Sequence, residues 1–184
     1  MNPKISDFGL ARVFQATQDL MNTHRVVGTL GYMSPEYVMG GMFSEKSDVY
    51  SFGVLMLEII SSKKNTSLCY HGKILNLLSY AWELWREGRG MELLDEAILT
   101  DSVASIKLEV MKCIHIGLLC IQDHATDRPN MLSVILMLSG ESDPPNPKPP
   151  SLTSFQSSLD HEVHGQRESP LSINTMTCTT IEGR

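Results

Sequence analysis

A chain of 184 residues with 42% hydrophobic and 20% charged residues is long enough for one domain with a sizeable core, and two domains would be crowded. Its formal charge of −6 excludes the broad basic face that DNA or RNA requires, so no nucleic-acid partner is expected. The longest apolar stretch, Val49 to Leu57, is cut by Glu58 and falls far short of the roughly 20 residues that span a bilayer.

In chain order, Met1 to Asp7 carries a proline, a lysine and an acid where a secretory leader would place a basic flank and an apolar run, so export is not expected. Strand signals are confined to Lys4-Ile5-Ser6. Ser44 opens the clearest helix: a polar start, Ser44 to Asp48, is followed by Val49, Phe52, Gly53, Met56, Ile59 and Ile60 at helical spacing. Tyr50, Val54, Leu55 and Leu57 fall on the other faces, so this helix is expected to need neighbours on every side. A second helix is predicted from about Ile74 to Glu87, stopping near Gly88 and Gly90. A third is predicted from about Ile106 to Gln122, with Leu108, Met111, His115, Leu118 and Ile121 near one stripe. A fourth is predicted to start at Pro129 as its first-turn proline and to end by Gly140.

Composition then shifts. Six of the nine prolines lie between Pro144 and Pro170, and Pro144 to Pro150 cannot hold a helix. Residues 1–140 read as a mainly helical unit and 141–184 as a Pro/Ser/Thr-rich tail, which from Ser151 onward is expected to be disordered because it buries too little to offset its conformational entropy. The cysteines Cys69, Cys113, Cys120 and Cys178 are scattered, and Cys113 and Cys120 would sit about 10 Å apart on a helix, too far for a disulfide. Reduced thiols in a cytosolic setting fit best. Cys113, His115, Cys120 and His124 could be read as a metal site, but residues two apart on a helix do not share a face, and core cysteines and histidines are the favoured reading.

The chemistry-bearing motifs stand in a fixed order. Asp7-Phe8-Gly9 comes first, Ser34-Pro35-Glu36 follows 25 residues after Gly9, then Asp48-Val49-Tyr50-Ser51-Phe52-Gly53, then Asp127-Arg128-Pro129. A lone Asp-Phe-Gly is weak, since Asp followed two residues later by Gly is also turn chemistry; order and spacing together make coincidence untenable. These stretches resemble protein kinases over roughly residues 1–140: a D-F-G, an A-P-E with Ser34 in the alanine position, and a D-x-x-S-x-G helix. The wording of Lys4 to Arg12, Gly28 to Met33 and Ser47 to Val54 is similar to plant receptor-like Ser/Thr kinases. The tail from Ile173 to Thr177, with Glu182-Gly183-Arg184, resembles the S-domain (lectin-type) subgroup.

The resemblance implies an incomplete, mainly α C-terminal lobe of the α+β kinase fold. It implies that Asp7 is the cofactor-binding residue, holding the magnesium that bridges the phosphates of ATP in a complete domain, with Phe8 packing to set the active or inactive arrangement. Leu10 to Met33 would follow Gly9 as the activation loop. There Thr23 is the phosphosite candidate, because a phosphate can be ordered by arginines, and Thr29 would sit beside the acceptor and favour Ser or Thr; both also read as ordinary loop threonines. Glu36 and Arg128 are implied to form a structural ion pair, and Asp48 to match the buried acid that binds the catalytic-loop backbone.

The Gly-rich loop, the strand lysine with its helix glutamate, and the H-R-D loop with its catalytic aspartate do not occur in the 184 residues. The family places all of them before the D-F-G. The chain is therefore expected to be truncated and inactive alone, the catalytic residues lying outside it. It reads as part of a kinase that phosphorylates Ser/Thr of protein substrates on the cytoplasmic side of the plasma membrane; alone it would be cytoplasmic and without cofactor. The alternative is a non-catalytic C-lobe acting as a binding module or decoy.

Overall fold

The computed structural model describes residues 4–11, 20–65, 68–70, 73–95, 97 and 103–150. Among the described residues five α-helices dominate: α1 Pro35–Gly40, α2 Glu45–Ser61, α3 Leu77–Arg86, α4 Val103–Cys120 and α5 Met131–Ser139. Two small antiparallel ribbons accompany them. β1 (Met21–Asn22) pairs with β2 (Met42–Phe43) in the register Met21 to Phe43, and β3 (Leu68–Tyr70) pairs with β4 (Lys73–Leu75) in the register Cys69 to Ile74. No helix among the described residues is long and apolar enough to cross a membrane.

The helix starts follow from side-chain capping, which satisfies amides that have no intrahelical partner. Ser44 Oγ accepts from the Lys46 N–H at 3.1 Å while Ser47 Oγ accepts from the Ser44 N–H at 3.2 Å, a reciprocal cap on α2. Asn76 and Asn130 cap α3 and α5 through the N–H groups of Ser79 and Ser133, each at 2.8 Å. Two starts therefore differ from expectation. Ile74 belongs to β4 rather than α3, and Pro129 precedes the Asn130 cap rather than opening α5.

Packing is organised around the crossing of α2 and α4. Val54, Leu57, Leu77, Ala81, Leu84, Ile114 and Leu118 form one buried cluster between α2, α3 and α4. Val49, Ile116, Leu119, Cys120, Val134 and Met137 form a second between α2, α4 and α5. At the crossing Gly53 meets Cys120 so closely that an added Cβ would lie 2.6 Å from the cysteine Cβ, and a side chain at position 53 would force the helices apart.

Three expectations are corrected here. Lys4-Ile5-Ser6 is not a strand and is exposed, because a strand needs a paired neighbour and the described residues supply none to it. Leu108 is not part of the core stripe but 73% exposed, the core contacts of α4 starting further along at Val110 and Met111. The α2 helix is enclosed on most faces but not all, with Leu55 47% and Ile59 63% exposed. The expected disordered tail, from Ser151 onward, lies outside the described residues.

Candidate functional site

The segment from Leu20 to Met33 lies over the start of α2, tied down at several points. Thr23 N–H donates to the Gly41 carbonyl at 2.9 Å. Gly41 has φ of +65°, and a Cβ there would meet the Thr23 oxygen at 2.1 Å, so both conformation and contact require glycine. Tyr37 on α1 receives the Val27 N–H at 3.0 Å on its hydroxyl, which reaches the Val27 carbonyl at 3.2 Å. Ser51 Oγ donates to the Tyr32 carbonyl at 2.7 Å.

A second clamp comes from the far end of α2. Tyr32 O–H donates to Glu58 Oε2 at 2.6 Å, and the hydrogen bond to the carboxylate, with burial, pushes the phenol up to about 12. Glu58 Oε1 accepts from the Asn65 N–H at 2.5 Å, and Asn65 Nδ2 donates to the Gly31 carbonyl at 2.7 Å. Tyr32 and Ser51 fall inside motifs read from the sequence, but Tyr37, Glu58 and Asn65 do not, and none of these partnerships, which span 7 to 34 residues, is visible in the sequence.

These ties enclose a cavity of about 410 Å³ between the segment and α2, with Leu10, Thr23, Arg25, Thr29, Asp48 and Ser51 among its walls. Three of the sequence-predicted site residues, Thr23, Thr29 and Asp48, are thus brought together. Thr23 Oγ1 bonds both the N–H and the carbonyl of Arg25 at 3.2 Å. Asp48 is solvent-exposed at the rim, yet partial desolvation and then the neighbouring Glu45 raise its carboxyl above the usual range.

Asp7, Phe8 and Gly9 stand outside this cavity and are exposed, Phe8 at 68%. Asp7 adopts a left-handed φ of +61°, uncommon for a residue with a side chain, and the Ala11 N–H closes a turn on the Phe8 carbonyl at 3.1 Å. The carboxylate is one hard-oxygen donor. Magnesium demands near-octahedral oxygen ligation, and among the described residues no three acidic, histidine or cysteine side chains converge on a metal position. Asp7 can therefore serve as a single ligand, and these residues do not make a complete metal site.

Glu36 and Arg128 meet behind the cavity. Arg128 Nη1 and Nη2 donate to Glu36 Oε1 and Oε2, each at 2.8 Å, with the arginine side chain 0% and the glutamate side chain 15% exposed. Burial pushes the Glu36 carboxyl up, but hydrogen bonding, chiefly from Arg128, outweighs it and holds the group below its ordinary value. Lys46 Nζ caps the Arg128 carbonyl; its ammonium is pushed down by burial and then by the guanidinium.

The cysteine and histidine cluster does not converge. Cys120 is buried against α2, and burial pushes its thiol up to about 12, which disfavours the thiolate a metal needs. His115 instead stacks beside Trp85 with ring centroids 4.6 Å apart, and Cys113 and Cys120 are free thiols.

A helical core built on α2 and α4, with an anchored segment running back toward an Asp-Phe-Gly turn, is the C-terminal lobe of the protein kinase fold. Residues 1–138 match the family described as protein tyrosine and serine/threonine kinase, and the chain belongs to that family. Over its whole length it is similar to plant receptor-like members. It is 50% identical over 185 residues to the G-type lectin S-receptor-like serine/threonine-protein kinase SD1-13 of Arabidopsis thaliana, and 52% identical over 184 residues to SD1-29 of the same plant. With the relative SRK, also from Arabidopsis thaliana, it shares 50% identity over 193 residues. In each case 100% of this chain aligns, and it spans 22% of the length of the relative.

Proposed function

We propose that the chain is the C-lobe portion of a receptor-like protein Ser/Thr kinase of the S-domain type, whose complete protein transfers the γ-phosphoryl group of ATP to Ser or Thr of a protein substrate at the cytoplasmic face of the plasma membrane. The observation that carries this reading is the segment between the Asp7-Phe8-Gly9 turn and Glu36, held from behind by a buried Arg128. In the complete kinase Asp7 is a magnesium ligand and Phe8 a packing element of the active arrangement. Leu10 to Met33 is the activation segment, with Thr29 beside the acceptor hydroxyl and Thr23 the phosphorylated position. Arg25, which shares a cavity wall with Thr23, is placed to pair with that phosphate. Asp48, at the cavity rim, receives the backbone of a catalytic loop. ATP and magnesium supply the phosphoryl group and its charge neutralisation.

The test is the messenger RNA upstream of the Met1 codon together with the activity of its full product. An in-frame H-R-D loop and Ser/Thr phosphorylation abolished by Asp7→Ala are expected; an open reading frame starting at Met1 with no upstream kinase sequence would overturn the reading. That outcome would favour a non-catalytic binding module, a second reading supported by the two buried clusters that α2 to α5 form among themselves.

A further inference from the structure

The run after α5 is built from Pro144, Pro145, Pro147, Pro149 and Pro150. Proline holds φ near −65° and cannot donate a backbone hydrogen bond, so such a run favours a polyproline path with about three residues per turn. Burial follows that period. Pro144, Pro147 and Pro150 are partly buried, while Pro145, Asn146, Lys148 and Pro149 are exposed. One edge of the run therefore lies against the helices. At its far end Lys148 and Pro150 line a small void of about 20 Å³ together with Leu78 and Trp82 of α3, Leu118 of α4 and Ile121 just beyond it.

Polar contacts fix the register. His115 Nε2 bonds the Pro145 carbonyl at 2.7 Å. Gln122, 8% exposed, brackets the backbone of Lys148: its Oε1 accepts from the Lys148 N–H at 3.0 Å, and its Nε2 donates to the Lys148 carbonyl at 3.3 Å and to the Leu118 carbonyl at 2.9 Å. Lys148 Nζ reaches Asp127 Oδ1 at 2.5 Å. A buried amide requires partners, and the partner shown for Gln122 Oε1 is the Lys148 N–H, so seat and segment complete one another.

We propose that the face formed by Trp82, His115, Leu118, Ile121, Gln122 and Asp127 is a polyproline-binding groove. Its ligand, bound in cis, is the chain's own Pro144–Pro150, and it selects a lysine set between prolines. Every third residue is the partly buried one, with Pro150 beside the apolar side chains, a buried glutamine reads one peptide unit, and an acid reads the lysine. Binding in cis gives the segment a high effective concentration, so few contacts suffice. The Gln122 carbonyl also accepts from Arg128 Nε at 2.7 Å, which places the occupied groove against the buried partner of Glu36. The folded unit accordingly extends to residue 150 rather than 140.

The test uses amide hydrogen exchange by NMR on the full chain and does not depend on kinase activity. In Pro144–Pro150 only Asn146 and Lys148 carry backbone N–H groups, and the structure shows a bond for Lys148. The expected result is Lys148 exchange at least about tenfold slower than in an unstructured chain, with Asn146 exchanging fast as an internal reference. Gln122→Met, and separately Pro147→Gly with Pro149→Gly, should each abolish the Lys148 protection while amides inside α4 stay protected. The glycine pair lies outside the helical core, so it reads the docking even where Gln122→Met disturbs folding. Lys148 exchanging as fast as Asn146 in the unmodified chain, or protection that survives the glycine pair, would overturn the proposal.

Discussion

Arg128 and Glu36 stand 92 residues apart in sequence and share two hydrogen bonds of 2.8 Å. The remaining guanidinium N–H groups reach the carbonyls of Gln122 at 2.7 Å, Lys46 at 3.0 Å and Asp123 at 3.1 Å, so each of the five donors of the group is matched. The cation also lies 5.0 Å from the centroid of the Tyr50 ring. One side chain thereby joins α1, the start of α2 and the loop after α4.

Arg128→Ala should cost about 3 to 5 kcal/mol of stability, because it strands a partly buried carboxylate and several carbonyls at once. Urea unfolding of the variant measures this. Replacing both partners together, Glu36→Leu with Arg128→Met, should cost distinctly less than the sum of the single changes, since no charge is left unpaired.

The pair should also shape acid sensitivity. The Glu36 carboxyl lies below its ordinary value in the folded chain, so its contribution is fully present above the unfolded value of about 4.3 and is lost as pH falls through the lower folded value. Stability measured from pH 6 downward should fall below about pH 4, and Glu36→Gln should flatten that fall.

Gly53→Ala should be destabilising despite its small size. The new methyl would sit 2.6 Å from Cys120 Cβ and 2.8 Å from Ile121 Cγ2, which forces the α2–α4 crossing to open at a cost of about 1 to 3 kcal/mol or more. Gly117→Ala, whose nearest contact is the flexible Leu57 Cδ2 at 3.0 Å, should cost less. Thermal unfolding of the two variants side by side checks the order.

In the complete kinase, Thr23→Ala should lower activity, because phosphate at this cavity wall would pair with Arg25 and order the segment. Phosphopeptide mapping of an active preparation should find Thr23 modified. An unmodified Thr23 in a fully active enzyme would refute the assignment.

A polypeptide of these 184 residues alone should not transfer phosphate from Mg-ATP to a generic Ser/Thr substrate. Asp7 is exposed, and among the described residues no three acidic, histidine or cysteine side chains converge on a metal position. Turnover abolished by Asp7→Ala would contradict this.

Much was legible in the sequence where the cause is local. The polar start at Ser44, the apolar spacing along α2 and the glycines at 88 and 140 act within one or two helical turns, and the helices stop near those glycines. The order of the Asp-Phe-Gly, Ser-Pro-Glu and Asp-Arg-Pro motifs was enough to point to the family, since motif spacing survives without coordinates. Strand formation was not local: Ile5 reads as strand but lacks a partner among the described residues, whereas Met21 and Asn22 carry no strand signal and pair because Gly41 brings Met42 and Phe43 alongside. Only the tertiary structure decided that Tyr32 reaches Glu58, that Asn65 holds Gly31, and that Gln122 clasps Lys148. Each of these is a short polar bond between residues 26 or 34 positions apart. Its existence depends on how helices pack rather than on any preference of the residues themselves, which is why composition and periodicity leave no trace of it.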